Sequence, residues 1–309
     1  MAYLFVHFRE KTTPDGEQVY FGLSKDGLQW ESVNDGKPIL WSNQGEQGVR
    51  DHTIVRTKDG KFFIISTDLS LANCFHSKYE RDWNNISRNG SKCLSMWESD
   101  DLVYWSEQRM VELGDEDFGC LWAPDVLYDE KRKDYIIHWS SSHASNNYGD
   151  KAIYYTRTKD FVQFDKAQLL CRKDGSGIID SAIYEEDGSY YRFLKSEANP
   201  EGIILQEGNT ITGTYRTNQK FEEEMKKLGH GAYEGPTAFQ LESGKWCLLL
   251  DYFGVPGEGQ GYVPFLSDNL KDGRFIRSEE HFSFPYRFKH GTVIAITKEE
   301  YDRIKNHYV

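Results

Sequence analysis

The sequence is short of the features that mark several classes of protein. Its 309 residues contain no apolar run near the ~20 residues that a membrane helix needs. Basic residues are outnumbered, with 37 Lys and Arg against 49 Asp and Glu, and the formal net charge is −12. A polyanion would be repelled by such a chain. We therefore expect neither a membrane partner nor a nucleic-acid partner.

Cysteine is also scarce, and its spacing is irregular. No two cysteines stand in a CxxC pair, and the five are Cys74, Cys93, Cys120, Cys171 and Cys247. An odd, scattered set predicts reduced thiols rather than a disulfide framework or a zinc site. The first ten residues have no basic segment followed by an apolar one, so they do not look like an export signal. These features together predict a cytoplasmic protein.

Helix patterns and linkers are few. Residues 219–228 and 298–306 carry helix-forming patterns, whereas nearly all the rest consists of short β-rich runs separated by turn residues. No Pro/Ser-rich linker or change of composition divides the chain. We therefore predict a single domain over residues 1–309.

The β-rich runs repeat. Each repeat has an acidic residue, a short apolar strand, a polar turn and an aromatic strand, and the repeats start at Asp51, Asp125, Asp180 and Glu234. A fifth start, at His290, precedes the end of the chain. The starts are 74, 55, 54 and 56 residues apart. A step near 55 fits one four-stranded blade of a β-propeller, and an insertion at about residues 71–88 lengthens the first step.

The two ends of the chain complete one another in this scheme. The N-terminal part supplies about three strands with no acidic start, and the strand after His290 supplies an innermost one. We predict an all-β, five-bladed β-propeller whose last blade is closed by pairing of the C-terminal strand with N-terminal strands. Such closure removes free sheet edges. A β-sandwich would leave the repeat unexplained.

The repeat starts are predicted to converge on the propeller axis, where four acids and one histidine would meet. Crowded carboxylates raise one another's pKa and cost stability, so such a set indicates chemistry or a bound cation. Glycoside hydrolysis needs one protonated and one ionised carboxyl group, and a cation needs carboxylate and carbonyl oxygens. The two are compatible. Trp122, close to the second start, could pack against a sugar ring.

At these positions the sequence resembles glycoside hydrolase family 43. The matching motifs are Arg50-Asp51-His52-Thr53, Leu121-Trp122-Ala123-Pro124-Asp125, Ile179-Asp180-Ser181-Ala182 with Asp187-Gly188, Glu234-Gly235-Pro236 and His290-Gly291. The resemblance extends over about residues 3–297. It implies that Asp51 is the general base, that Glu234 is the general acid, and that Asp180 is the third carboxylate, which tunes and orients the acid. It also implies that His290 is the axial histidine, which often lies beside a calcium ion with a water molecule between them.

Three further residues are candidates for the substrate site. Arg287, three residues before His290, is a candidate hydrogen-bond donor to the substrate or to a catalytic carboxylate. Asp125 is assigned to structure or to the rim of the −1 subsite, because the family's third carboxylate falls in the next blade. His52 stands where the family usually has proline, and it could supply a donor near the base.

These features predict an inverting exo-glycosidase that releases a terminal pentose. We expect α-L-arabinofuranosyl units of arabinoxylan- or arabinan-derived oligosaccharides as substrate, with β-xylosyl units second. A non-catalytic sugar-binding propeller is the rival hypothesis. One calcium ion near the axis, and a monomer or small homo-oligomer, complete the expectation. Residues 71–88 are predicted to be either a subsite wall or a solvated loop.

Overall fold

The chain folds into antiparallel sheets. The computed structural model describes residues 1–9, 13–199, 201–228, 233–254 and 261–308. Its strands are, in chain order, β1 (Ala2–His7), β2 (Tyr20–Ser24), β3 (Trp30–Ser32), β4 (Val49–Arg56), β5 (Phe62–Asp68), β6 (Cys93–Ser99), β7 (Arg109–Glu112), β8 (Trp122–Asp129), β9 (Asp134–Ser141), β10 (Ala152–Thr158), β11 (Gln168–Cys171), β12 (Ile178–Glu186), β13 (Ser189–Ser196), β14 (Gly202–Gly208), β15 (Tyr215–Thr217), β16 (Tyr233–Gln240), β17 (Trp246–Tyr252), β18 (Gly261–Ser267), β19 (Ile276–Arg277) and β20 (Gly291–Ile296).

These strands form five four-stranded blades around one axis. Blades 1 to 4 are β4–β7, β8–β11, β12–β15 and β16–β19, each with its first strand innermost. Blade 5 has the order β20-β1-β2-β3, and β20 pairs antiparallel with β1 from Ala2↔Ile296 to His7↔Gly291. The innermost strands of neighbouring blades contact one another around the whole ring. The predicted five-bladed propeller and its closure by the C-terminal strand are confirmed.

The apolar core lies between the blades. Phe63 of blade 1, for example, stacks on Phe161 of blade 2 with ring centroids 4.1 Å apart. Trp30, Phe62 and Tyr190 are buried in such inter-blade clusters, as their repeat positions predict. The high aromatic content of the sequence is therefore largely accounted for by blade packing.

A short polar turn recurs at the outer side of three blades. In blade 5, the Ser24 hydroxyl accepts the Gly27 amide, and the Asp26 carboxylate accepts the amides of Leu28 and Gln29. Equivalent bonds are made by Ser99 with Asp101 and by Thr158 with Asp160. The Ser/Thr-x-Asp pattern is thus a turn device that satisfies backbone amides, and it needs no functional explanation.

Helices are short, and most lie outside the blades. They are α1 (Leu71–Cys74), α2 (Trp83–Asn89), α3 (Gln219–Lys226) and α4 (Lys298–His307), with 3-10 turns at Asn34–Gly36, Ala144–Asn146 and Glu279–His281. The two helices predicted from sequence correspond to α3 and α4. The insertion lies between β5 and β6, as expected, and contains α1 and α2, which were not predicted because each is too short to show a periodic pattern. Within the described residues, no helix is long and apolar enough to cross a bilayer.

Candidate active site

The innermost strands of blades 1 to 4 share a β-bulge at the same place. Their pairing with the second strand slips between Arg50 and Thr53, Trp122 and Asp125, Ile179 and Ala182, and Glu234 and Thr237. One residue in each bulge has a left-handed backbone, with φ of 51° at Asp51, 49° at Ala123, 53° at Asp180 and 52° at Gly235. Bulges re-aim side chains next to active sites, and left-handed non-glycine residues carry strain that is found mostly at functional sites.

The bulges correct one sequence-based expectation. Asp51, Asp125, Asp180 and Glu234 were expected to occupy equivalent positions, but the left-handed position is held by Asp51, Ala123, Asp180 and Gly235. Glu234 therefore comes one residue before that position, and Asp125 comes two residues after it. Because strand side chains alternate between faces and advance along the axis, the four acids do not form one ring.

Hydrogen bonds between neighbouring blades fix the bulges. The Ala123 amide donates to the Thr67 hydroxyl at 2.8 Å, and that hydroxyl donates to the Asp51 carboxylate at 3.0 Å. The Asp180 amide donates to Ser140 Oγ at 3.0 Å, and the Gly235 amide donates to Asp180 Oδ2 at 3.0 Å. A side chain at position 235 would lie 2.7 Å from the His290 ring. Glycine there lets blade 4 approach the axis closely.

Asp51 is held as an ionised carboxylate by His290. His290 Nδ1 lies 3.3 Å from Asp51 Oδ1, and both side chains are largely buried. Burial by itself would raise the pKa of Asp51, but the hydrogen bond and charge of His290, with Arg50 and Thr67, outweigh it and hold the pKa at about 2. Burial would lower the pKa of His290, but the charges of Asp180 and Asp51 raise it to about 9. At neutral pH the two groups form an ion pair.

Glu234 has the opposite protonation preference. Burial is the main cause that raises its pKa to about 7, and the charges of Asp251 and Asp180 add to the effect. Lys195 and Lys289 oppose the shift. A group with this pKa is partly protonated at neutral pH, as a general acid must be. Two carboxyl groups whose environments separate their pKa values mark the base and the acid of a hydrolytic site.

Asp180 lies between these two groups. Its Oδ2 accepts the Gly235 amide, the residue that follows Glu234. Burial raises the pKa of Asp180, and the charge of Asp51 adds to that effect, while His290 and Lys195 lower it. Through the Gly235 amide, Asp180 fixes the backbone that carries Glu234, which fits an orienting group.

A cavity of about 530 Å³ opens above these groups and is lined by all of them, Asp51, Asp180, Glu234 and His290. Trp122 also lines this cavity, as predicted from its place before the second repeat. The wall on the side of blades 1 and 2 is built by α2. The α2 part of the insertion is therefore a wall of the cavity, whereas residues 76–78 and 80–82 are exposed to solvent.

A model of a glycosyl hydrolase 43-related family, described as "probable glycosyl hydrolase domain", matches residues 1–302. The chain belongs to this family. The match places a probable glycosyl hydrolase domain over nearly the whole chain. The resemblance carried by the sequence motifs is confirmed.

Named relatives agree with this assignment. An α-L-arabinofuranosidase of Bifidobacterium longum subsp. longum is 25% identical over 320 residues, which cover 95% of this chain and 28% of the relative. The chain thus spans a little over a quarter of that protein's length.

Solved structures share the fold. A xylan β-1,4-xylosidase of Bacillus halodurans matches with a TM-score of 0.64 and 14% identity, over 96% of this chain and 56% of that one. An endo-1,4-β-xylanase of Bacteroides thetaiotaomicron matches with a TM-score of 0.61 and 12% identity, over 94% and 93% of the two chains. At such identities the likeness concerns the fold alone.

Asp125 is not among the described residues that line the cavity. Its Oδ1 accepts the Thr53 hydroxyl at 2.9 Å and the Val126 amide at 2.8 Å, and its Oδ2 is 4.0 Å from Nε2 of the buried His138. Burial raises the pKa of Asp125 to about 6. Of the two roles left open for Asp125, these contacts favour structure over a place on the rim of the −1 subsite, because the bulge puts it past the cavity floor.

Neither His52 nor Arg287 is among the described residues that line the cavity. His52 is 1% exposed, with its ring nitrogens bonded to Ser66 Oγ and to the Gln18 carbonyl. The next residue along a strand points to the opposite face, so His52 points into the space between blades. Arg287 is exposed on the loop before His290. The buried ring of His52 does not support the expected contact with the base, whereas a contact of Arg287 with substrate stays a prediction.

Three charged residues at the site were missed by sequence reasoning. Lys195 Nζ lies 3.4 Å from Glu234 Oε2 and 3.2 Å from Glu201 Oε2. Asp251 stands directly opposite Glu234 in the β16–β17 ladder and forms a buried ion pair with Lys289 at 2.8 Å. Lys195 and Asp251 lie on second strands, outside the repeat starts. The only available signal was that Lys289 adjoins His290.

Calcium at the axis stays a prediction. Among the described residues, the side chains at the axis do not bring three ligand atoms within 4.8 Å of one another; the group that does is Asp115, Asp117 and His143, outside the cavity lining. His290 directs Nδ1 at Asp51 and is protonated near neutral pH, so it does not fit a direct metal ligand. No catalytic step here depends on the ion.

Proposed function

We propose that the protein is an inverting, exo-acting glycosidase that releases terminal α-L-arabinofuranosyl residues from arabinoxylan- or arabinan-derived oligosaccharides. The observation that carries the proposal is that two carboxyl groups in one cavity differ widely in pKa. The pKa of Asp51 is about 2, and that of Glu234 is about 7. The named arabinofuranosidase relative supports the choice of sugar.

In this mechanism each catalytic side chain has one task. Ionised Asp51 accepts a proton from a water molecule as the water attacks the anomeric carbon. Protonated Glu234 donates its proton to the leaving glycosidic oxygen on the other side of the sugar. Asp180 keeps the Glu234 backbone in place through the Gly235 amide. The His290 charge keeps Asp51 ionised before the attack.

Substitution of the two carboxyl groups tests the roles. Asp51→Asn and Glu234→Gln should each lower kcat by ~10²–10⁴-fold, because each removes acid–base assistance. Glu234→Gln should lose much less on an aryl glycoside with a strongly acidic phenol, which leaves without protonation, whereas Asp51→Asn should lose equally on all substrates. Asp100→Asn, at an exposed acid outside the cavity, is the matched control. Near-normal turnover of either site variant would refute the role assignment.

Two further measurements test the finer parts of the proposal. Proton NMR of the first-formed sugar should show the β-anomer from an α-L-arabinofuranoside, and a retained configuration would exclude inversion. A panel of nitrophenyl glycosides should show α-L-arabinofuranoside cleaved faster than β-D-xyloside, and the reverse order would make the protein a β-xylosidase. Binding of pentosides without any hydrolysis would favour a non-catalytic sugar-binding propeller.

A further inference from the structure

Trp83 lines the cavity but has no part in the mechanism above. It is the first residue of α2, and 48% of its surface is exposed. Large aromatic side chains that stay exposed within a cavity indicate a binding role. Asn84 and Ser87, which follow it on α2, line the same cavity. An indole ring and two polar side chains thus stand together on one helix.

The helix that carries Trp83 is held firmly against blade 2. Ser142 Oγ donates to the Ser87 carbonyl at 2.5 Å, and the Gly90 amide donates to the Gly119 carbonyl at 2.8 Å. A Cβ atom on Gly119 would lie 2.1 Å from Ser142 Oγ and 2.2 Å from the Ser87 carbonyl oxygen, so only glycine permits this approach. The position of Trp83 is therefore built into the fold.

The other face of α2 is anchored to blade 1. Ile86 is fully buried in a small cluster with Leu69 and Tyr79, and the Tyr79 hydroxyl bonds to the carboxylate of Glu46. The Asp82 carboxylate caps α2 by accepting the Asn84 amide at 2.9 Å. The backbone that carries Trp83 is therefore fixed before a ligand binds, which reduces the entropy lost on binding.

The surroundings of the two cavity tryptophans differ. Lys151 Nζ lies 5.2 Å from the Trp122 ring centroid and pairs with Glu197 at 3.0 Å, so a cation is held over that ring. Trp83 stands at 90° to Trp122, with ring centroids 6.4 Å apart, and keeps about half of its surface free. Trp83 is therefore the better platform for the face of a sugar ring.

We infer that Trp83, Asn84 and Ser87 form a second sugar-binding subsite, which holds a further unit of the oligosaccharide beside the unit at Asp51 and Glu234. The C–H face of a sugar packs on an indole ring, while its hydroxyl groups bond to amide and hydroxyl side chains. The cavity of about 530 Å³ is in the range of pockets that bury drug-sized ligands, which exceed one pentose. The inference rests on the proposed function for the identity of the sugar units.

Calorimetric titration tests the subsite without turnover. In the Glu234→Gln background, the better of xylotriose and α-1,5-arabinotriose should bind at least about tenfold tighter than its monosaccharide, because it also covers the indole. Trp83→Ala should remove most of this gain and leave monosaccharide affinity within about twofold. Trp83→Phe should keep part of the gain.

The control is Trp41→Ala, which removes a tryptophan that is 54% exposed and does not line the cavity. It should bind the trisaccharide like the parent. Equal trisaccharide affinity in Trp83→Ala and in the parent would overturn the inference, and so would an equal loss for monosaccharide and trisaccharide. If thermal unfolding shows that Trp83→Ala is not folded, Trp83→Phe decides, and parent-like affinity in that variant would overturn the inference.

Failure of the proposed function would look different. If the chain with Glu234 intact hydrolyses no pentoside, yet trisaccharide binding depends on Trp83, the proposed function is wrong and the subsite stands. If the chain hydrolyses arabinofuranosides and Trp83→Ala binds and cleaves trisaccharide like Trp41→Ala, the subsite is wrong and the proposed function stands.

Discussion

Two charges beside Glu234 should move the pH dependence of the enzyme in opposite directions. Lys195 lies 3.4 Å from the Glu234 carboxyl and lowers its pKa, whereas Asp251, opposite Glu234 in the ladder, raises it. Glu234 must be protonated to donate a proton, so activity falls as the pH rises through its pKa. Lys195→Met should move this alkaline limb to higher pH, and Asp251→Asn should move it to lower pH.

The size of each shift follows from burial and distance. The Lys195 side chain is 8% exposed and that of Glu234 is 28% exposed, so solvent screens their interaction only in part. A charge at such a distance from a buried carboxyl group moves its pKa by about 1–3 units. We expect a shift of about 1 unit in each variant, equivalent to about 1.4 kcal/mol. In Lys195→Met, the remaining Glu201 carboxylate adds to the upward shift.

The assay is the pH profile of kcat/KM, which reports ionisations of the free enzyme. Aliquots are quenched at one common pH, so that the ionisation of the released phenol does not affect the reading. Lys151→Met is the matched control, because Lys151 lines the same cavity and pairs with Glu197. Its alkaline limb should stay in place.

Asp251→Asn removes the carboxylate that pairs with Lys289, and the loss of one member of a buried ion pair costs stability. The double variant Asp251→Asn/Lys289→Met removes both charges and should show a smaller shift than the single variant. The assignment of the alkaline limb to Glu234 would be refuted if that limb stayed in place in both Lys195→Met and Asp251→Asn. It would also be refuted if the limb moved in the same direction in both variants.

Two other predictions concern the base and the C-terminal helix. His290→Gln removes the main group that holds the pKa of Asp51 at about 2, so that pKa should rise and the acidic limb of kcat/KM should move up by about 1 pH unit or more; an unchanged acidic limb would contradict the role of Asp51 as base. Thr297→Ala removes the capping box of α4 and should lower the free energy of unfolding in urea by about 1 kcal/mol, whereas Lys298→Ala, in the same turn, should stay within about 0.5 kcal/mol; equal losses would contradict the capping role.

The architecture could be predicted from the sequence because it follows from local sequence patterns that repeat along the chain. A blade is a unit of about 55 residues, and its turns and apolar strands recur at that step. Closure by β20 follows from the count of strands at the two ends, and α4 follows from the capping pattern at Thr297. The family motifs named Asp51, Asp180 and Glu234, and the structure brings these three to one cavity.

The level of each acid on the axis could not be predicted in this way. The repeat placed Asp125 beside the other three, but the bulges shift it two residues past the left-handed position. An offset of two residues changes the depth of a side chain along the axis, whereas Glu234, one residue before the left-handed position, still lines the cavity. Sequence spacing alone does not reveal a bulge.

Only the tertiary structure shows which other groups shift the pKa of Glu234 or line the cavity. Lys195 and Asp251 come from second strands, and Trp83 comes from an insertion more than 100 residues before Glu234 in the chain. The low proportion of basic residues leads us to expect no nucleic-acid partner, yet two of the few, Lys195 and Lys289, approach the axis and lower the pKa of Glu234. By itself, the sequence determined the number of blades and the identity of the acids, because both depend on local patterns. Which charges and rings surround those acids depends on distances in space, and these exist only once the five blades have closed.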